Sequence, residues 1–156
     1  MEGEVKKTKF RGFYGNYQHT LDVKGRVFVP SRFRDGLEDG FMLTKGLDGC
    51  LAAYPMDEWD ALAEQMDGSS SFTQKDNREF IRFLYANATE CEMDKQGRIG
   101  IPVDLREFAG LTKEVYFTGA RKHFEVWDYE SWMVNSKKYD TNADELAGRL
   151  HQKNNQ

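Results

Sequence analysis

The chain has 156 residues, 39% of them hydrophobic and 13% aromatic, enough apolar mass for a buried core and too much for a disordered chain. No run reaches the ~18 apolar residues of a membrane-spanning helix, and the basic start has no apolar stretch behind it, which argues against a secretory leader. The net charge of −4 counts against a strongly basic nucleic-acid domain, yet residues 1–36 hold eight Lys and Arg against four Asp and Glu, so a basic face sits on an acidic body.

In chain order, Phe13 to Leu21 is an aromatic-rich run with partial alternation and reads as a strand. Asp22-Val23-Lys24-Gly25 follows as a turn: Asp22 supplies a local acceptor and Gly25 can take positive φ. Arg26 opens the next strand of a hairpin, with Val27 and Val29 on one side and Arg26 and Phe28 on the other. Pro30 stops the pairing and starts a short helix whose inner face holds Phe33 and Leu37 and which ends at Gly36. Arg34 lies off that face, toward solvent or a partner.

Phe41 to Thr44 and Cys50 to Tyr54 bracket a Lys45-to-Gly49 turn as a second hairpin. Met56 to Met66 has the spacing of a helix with Trp59, Leu62, Ala63 and Met66 inward. A loop over 67–71 and a helix from Asp76 to Asn87, with Phe80, Ile81, Leu84 and Tyr85 apolar, complete this part.

From Met93 the pattern starts again. Leu21-Asp22-Val23-Lys24-Gly25-Arg26-Val27-Phe28-Val29-Pro30 and Met93-Asp94-Lys95-Gln96-Gly97-Arg98-Ile99-Gly100-Ile101-Pro102 match in Asp, Gly, Arg and Pro and in the phase of their apolar residues. Leu105, Phe108 and Leu111 repeat the helical face, Gly110 the stop, and Arg106 the position of Arg34. Val115 to Thr118 and Phe124 to Trp127 repeat the second hairpin, and Trp132 follows Trp127 as Trp59 follows Tyr54. The tail from Ser136 is polar, with a short helix predicted over Asn142 to His151. The chain therefore divides into a first unit at 10–60, linking helices at 61–87, a second unit at 88–133 and a tail at 134–156. The expected fold is α+β: two units closing a pseudo-twofold β-barrel with peripheral helices, which removes free sheet edges.

Chemistry-bearing residues are sparse elsewhere. Cys50 and Cys91 belong to no Cys/His cluster and read as buried small apolar residues in a reducing cytoplasm. His19, His123 and His151 share no metal-ligand spacing. No cofactor, metal, membrane or small-molecule substrate is expected. The paired Asp22 and Asp94 suggest a carboxylate dyad, but an aspartic-protease motif needs Asp-Thr/Ser-Gly, and the neighbouring cations would hold both ionised.

The doubled Asp-x-x-Gly-Arg-x-x-x-Pro resembles the AbrB-type swapped-hairpin fold. With Gly15-x-Tyr17-x-His19-x-Leu21, Thr44-Lys45-Gly46-Leu47-Asp48-Gly49-Cys50-Leu51 and Phe124-Glu125-Val126-Trp127, it resembles the MraZ regulators from about Phe10 to about Trp132. The resemblance implies a ring-shaped homo-oligomer, located in the cytoplasm at the nucleoid. It would bind direct repeats in promoter DNA upstream of the bacterial division and cell-wall gene cluster and regulate that operon. It also implies that Asp22 to Arg26 and Asp94 to Arg98 form the DNA-facing loops. On that reading Arg26 and Arg98 present forked donors to phosphate or guanine, and Lys24 and Lys95 add phosphate-seeking charge. Arg34 and Arg106 contribute further DNA contacts, while Asp22, Gly25, Asp94 and Gly97 position the loops. Two departures stand out. The nine residues before Phe10 extend beyond the usual family start as a basic arm, and Arg121-Lys122-His123 stands where the family more often has Gly and Asn. The same hairpin also serves in antitoxins, but those pair one short unit with a long disordered tail.

Overall fold

The computed structural model describes residues 9–69 and 73–154, so the arm before Lys9 and part of the loop expected over 67–71 lie outside the described residues. The first copy supplies β1 (Asn16–Thr20), β2 (Arg26–Phe28), α1 (Ser31–Arg34), β3 (Phe41–Lys45), β4 (Leu51–Pro55) and α2 (Met56–Ser69). After α3 (Lys75–Tyr85) come β5 (Thr89–Cys91), β6 (Arg98–Gly100), α4 (Val103–Ala109), β7 (Glu114–Gly119), β8 (Phe124–Asp128) and α5 (Tyr129–Asn154). Helix and sheet are thus mixed, as expected.

All strand pairs are antiparallel. Six strands form one sheet in the order β1-β7-β8-β4-β3-β5, and β2 with β6 forms a separate two-stranded ribbon. Replacing each strand by its counterpart in the other copy reverses the six-strand order onto itself, the pseudo-twofold relation of the repeat. The two copies meet in the middle, where Leu51, Ala52 and Ala53 pair with Val126, Glu125 and Phe124.

The turn after β1 does not close a hairpin between neighbours. β1 pairs with β7 of the other copy, β5 with β3, and β2 with β6. The exchange has a physical reason. A three-residue strand with a proline two residues beyond it has few partners of its own to offer, and its counterpart presents the same short edge with matching inward residues. Among the described residues β1 and β5 are the edges of the six-stranded sheet, and the closed barrel expected from the sequence is not shown.

Side-chain phase sets the core. Val27 and Ile99 face each other across the ribbon and are buried, as are Val29 and Ile101. They pack with Leu43, Leu51, Val115 and Val126 and with a cluster of rings. Phe33 of α1 lies edge-on to Phe13, with centroids 5.2 Å apart, and 5.3 Å from Phe124. Removing a buried ring of this kind costs roughly 3–5 kcal/mol.

Three local expectations change, the first being that residues 67–69, expected to open a loop, are the end of α2. Gly36 does not stop α1. It sits inside a 3₁₀ turn, Asp35–Leu37, where a Cβ would lie 2.6 Å from the Phe10 ring, so close packing requires it. Gly110 does cap α4, with φ 66°. The short helix expected in the tail is the end of a 26-residue helix, α5. Its first turns are held by Trp132 against Tyr116 and Trp127. The Arg121 turn tolerates its departure by placing Arg121 itself at φ 69° and bridging it to Phe13.

Candidate nucleic-acid interface

The two Asp-x-x-Gly-Arg segments fold alike. In the first, the Asp22 carbonyl accepts from Gly25 N at 3.0 Å, and Asp22 N donates to the Arg26 carbonyl at 2.8 Å. Asp22 Oδ1 accepts from the amides of Lys24 and Arg26, both at 2.9 Å, and Oδ2 accepts from Arg26 Nε at 2.8 Å. In the second, Asp94 accepts from the amides of Gln96 and Arg98 and from Arg98 Nε, each at 2.9 Å. One carboxylate thus closes a turn and fixes the guanidinium that follows it, through charge-assisted bonds. The Arg26 amide, the Arg26 guanidinium and the Lys24 amide hold the Asp22 carboxyl below the usual carboxylate range. The Arg98 amide and guanidinium and the Gln96 amide do the same for Asp94. Both carboxylates are therefore committed to their own loops. A protease dyad would instead need one carboxyl pushed up by the other.

The register of the ribbon places the two arginines on one face. Arg26 lies opposite Gly100 and Phe28 opposite Arg98, while the intervening Val27–Ile99 pair points inward. The loops sit at opposite ends of the ribbon, with Lys24 and Lys95 exposed in them. The faces are not identical. Arg98 lies over the Phe28 ring, 5.8 Å from its centroid, and its side chain is 22% exposed, whereas Arg26 faces bare Gly100 and is 38% exposed.

Arg34 and Arg106 are not free on the helix surface. Both are half-buried, and each reaches across to the loop of the other copy. Arg34 Nε donates to the Val29 carbonyl at 3.0 Å, and its guanidinium packs on Gly97, where a Cβ would come within 2.6 Å of Cζ. Arg106 donates to the Ile101 carbonyl and lies on Gly25, where a Cβ would fall inside its guanidinium. Gly25 and Gly97 also have φ of 80° and 86°, so the turn and the cross-copy contact both demand glycine. Their carbonyls are taken as well, by Ile101 N and Val29 N respectively, both at 2.9 Å. Sequence reasoning missed this crossing because the partners lie far apart in the chain.

It also passed over Val23 and Phe28. Val23 has its whole side chain in water, and Phe28 is 45% exposed. The only hint was the alternation that puts Phe28 on the same side as Arg26.

Of the remaining candidates, only His123 and Cys50 come together among the described residues, both beside Glu125. His19 packs edge-on to Phe117, and burial, then the charge of Arg34, holds its pKa below the ordinary value. His123 stacks on Tyr54 with centroids 4.6 Å apart. Cys50 is fully buried and its thiol is pushed far up, and burial pushes the Cys91 thiol up to about 11. Neither is a thiolate near neutral pH. Among the described residues no three metal-ligating side chains cluster, and no helix is long and apolar enough to cross a membrane.

Comparison with known proteins adds a family. The model described as "MraZ protein, putative antitoxin-like" matches twice, at residues 13–83 and 84–153, a division that falls inside α3. A protein of Acetivibrio thermocellus is 51% identical over 138 residues, covering 88% of this chain and 96% of that one. Proteins of Pelotomaculum thermopropionicum and Lactiplantibacillus plantarum are 47% and 44% identical, covering 88% of this chain and 94% and 97% of their own lengths. All three are called transcriptional regulator MraZ.

Proposed function

The chain belongs to the MraZ family, and from that premise we propose that it is a transcription regulator that binds promoter DNA through its paired Asp-x-x-Gly-Arg loops. The observation that carries this reading is the ribbon face. Two guanidiniums, each locked by its own aspartate, share one outward surface of a two-stranded antiparallel ribbon. Such a ribbon fits the major groove, where arginine addresses phosphate oxygens and the O6/N7 edge of guanine. Arg26 and Arg98 are the DNA contacts, and Lys24 and Lys95 add phosphate contacts. Arg34 and Arg106 are positioning residues that hold the opposite loop in place.

The targets are direct repeats ahead of the division and cell-wall gene cluster, and the working form is a ring of several subunits in the cytoplasm, on the nucleoid. Multiplicity reconciles DNA binding with a net charge of −4, since several weak grips on one duplex add through effective concentration. Footprinting of the purified protein on the region upstream of its own gene tests partner, spacing and autoregulation together. Protected repeats spaced by about 10 bp, one helical turn, are expected, and an unprotected region rejects the proposal. The family description favours a second reading, toxin neutralisation. A stable toxin copurifying with the protein, with no footprint, would select it.

A further inference from the structure

The pseudo-twofold relation predicts two equal halves of the ribbon face, but the halves carry different chemistry. The first copy has Val23 at its loop tip and Phe28 on the outward face of β2; the second has Lys95 and Gly100 at those positions. Val23 lies wholly in water and gives folding no buried area, although the turn would close equally well around a polar residue. Phe28 keeps 45% of its surface exposed, with Arg98 lying over its ring. Both apolar groups stand among cations: Lys24 is next to Val23, and Arg26 and Arg98 flank Phe28. At Gly100 nothing lies within 4 Å of where a Cβ would stand, so the corresponding spot in the second copy is bare.

A surface of apolar points framed by fixed positive charge complements a partner of closely spaced anions with apolar points between them. The major groove has that character where thymine 5-methyl groups stand between two phosphate rails. Resting on the DNA-binding reading above, we infer that Val23 and Phe28 are specificity-determining residues that contact thymine methyl groups. The half of the ribbon from the first copy then selects thymine. The half from the second copy, with Lys95, Gln96 and Gly100, does not. An exact twofold face would read a site equally in either direction, so this inequality gives each subunit a polarity on the duplex.

The test uses the full chain and duplexes that the wild-type protein enriches from a randomised pool, synthesised either with thymine or with uracil throughout. Uracil deletes the methyl group and keeps the pairing. Each contacted methyl is worth about fourfold in affinity, so wild type binds the uracil duplex at least about fourfold more weakly. In Val23→Thr, which swaps one methyl for a hydroxyl at a fully exposed position, and in Phe28→Ala, the thymine-to-uracil ratio falls toward one. Gly100→Phe combined with Lys95→Val raises it. A wild-type ratio of one, or a ratio unchanged in both loss variants, overturns the inference while leaving DNA binding intact. Failure of wild type to enrich any duplex overturns the DNA reading, and this inference with it.

Discussion

The two Asp-x-x-Gly-Arg loops share a scaffold and differ in what hangs on it. Their turn bonds agree to about 0.1 Å, because Asp, Gly and Arg recur at the same spacing and make the same local bonds. The decoration is unconstrained by the turn and has diverged: Val23-Lys24 against Lys95-Gln96, and Phe28 against Gly100. Each loop is also braced by the other copy, Gly25 by Arg106 and Gly97 by Arg34. Duplication thus kept what orders the loops and released what they present.

The largest losses should follow removal of the guanidiniums one at a time. Arg26→Ala should weaken binding to promoter repeats by about fivefold to about 150-fold, from the roughly 1–3 kcal/mol of a good bidentate contact. Arg98→Ala should cost less, because Phe28 covers part of its side chain. Fluorescence anisotropy across a salt series reads both, and each variant should also flatten the salt slope. Equal losses would mean that Phe28 does not distinguish the loops.

Next come the glycines. Gly25→Ala and Gly97→Ala each force a side chain into a left-handed turn, worth about 1–3 kcal/mol, and also displace the bracing arginine. Denaturant unfolding should show the larger loss for Gly25→Ala, whose new Cβ meets the Arg106 guanidinium head-on. A double-mutant cycle of Gly25→Ala with Arg106→Ala should show coupling between the two sites. Additivity would mean that Arg106 does not brace that loop.

Smaller still are the single braces. Arg34→Met should raise amide hydrogen exchange at Gly97 and Arg98 and spare Gly25, while Arg106→Met should do the reverse. Increased exchange in the loop of the same copy would refute the crossing. The mildest perturbation is acid. Both aspartates titrate below their unfolded value of about 3.9. A depressed carboxyl contributes stability that is present above the unfolded pKa and is lost as pH falls through the folded one. Carbon-13 titration of the two carboxyls should therefore show loop order persisting below the ordinary carboxylate range. Asp22→Asn should remove that dependence from the first loop alone.

How far the sequence could be read follows from the same distinction. Asp22, Gly25, Arg26 and Pro30 act within a few residues of themselves, so their jobs show in a short window, and their recurrence at Asp94 to Pro102 exposed the duplication. The alternation of Val27 and Val29 with Arg26 and Phe28 gave the inward and outward faces. Strand partners could not be read from the turn, because a turn that can close a hairpin can equally hand its second strand to another copy; only the likeness to the swapped-hairpin fold pointed to the exchange. Arg34 looked like a surface charge since its glycine lies in the other half of the chain. Gly36 looked like a helix stop, whereas the rings of Phe10 and Phe13 demand it. The tail helix was underestimated because α5 buries none of its residues and so carries little apolar periodicity.

Hydrogen exchange of the full chain, with and without a duplex of its own promoter region, asks whether both loops meet DNA. Protection on binding should appear at residues 22–28 and 94–100, with both loops slowed in the same complex. Protection confined to α3 or α5, with both loops exchanging as in the free protein, would show that the loops do not bind DNA.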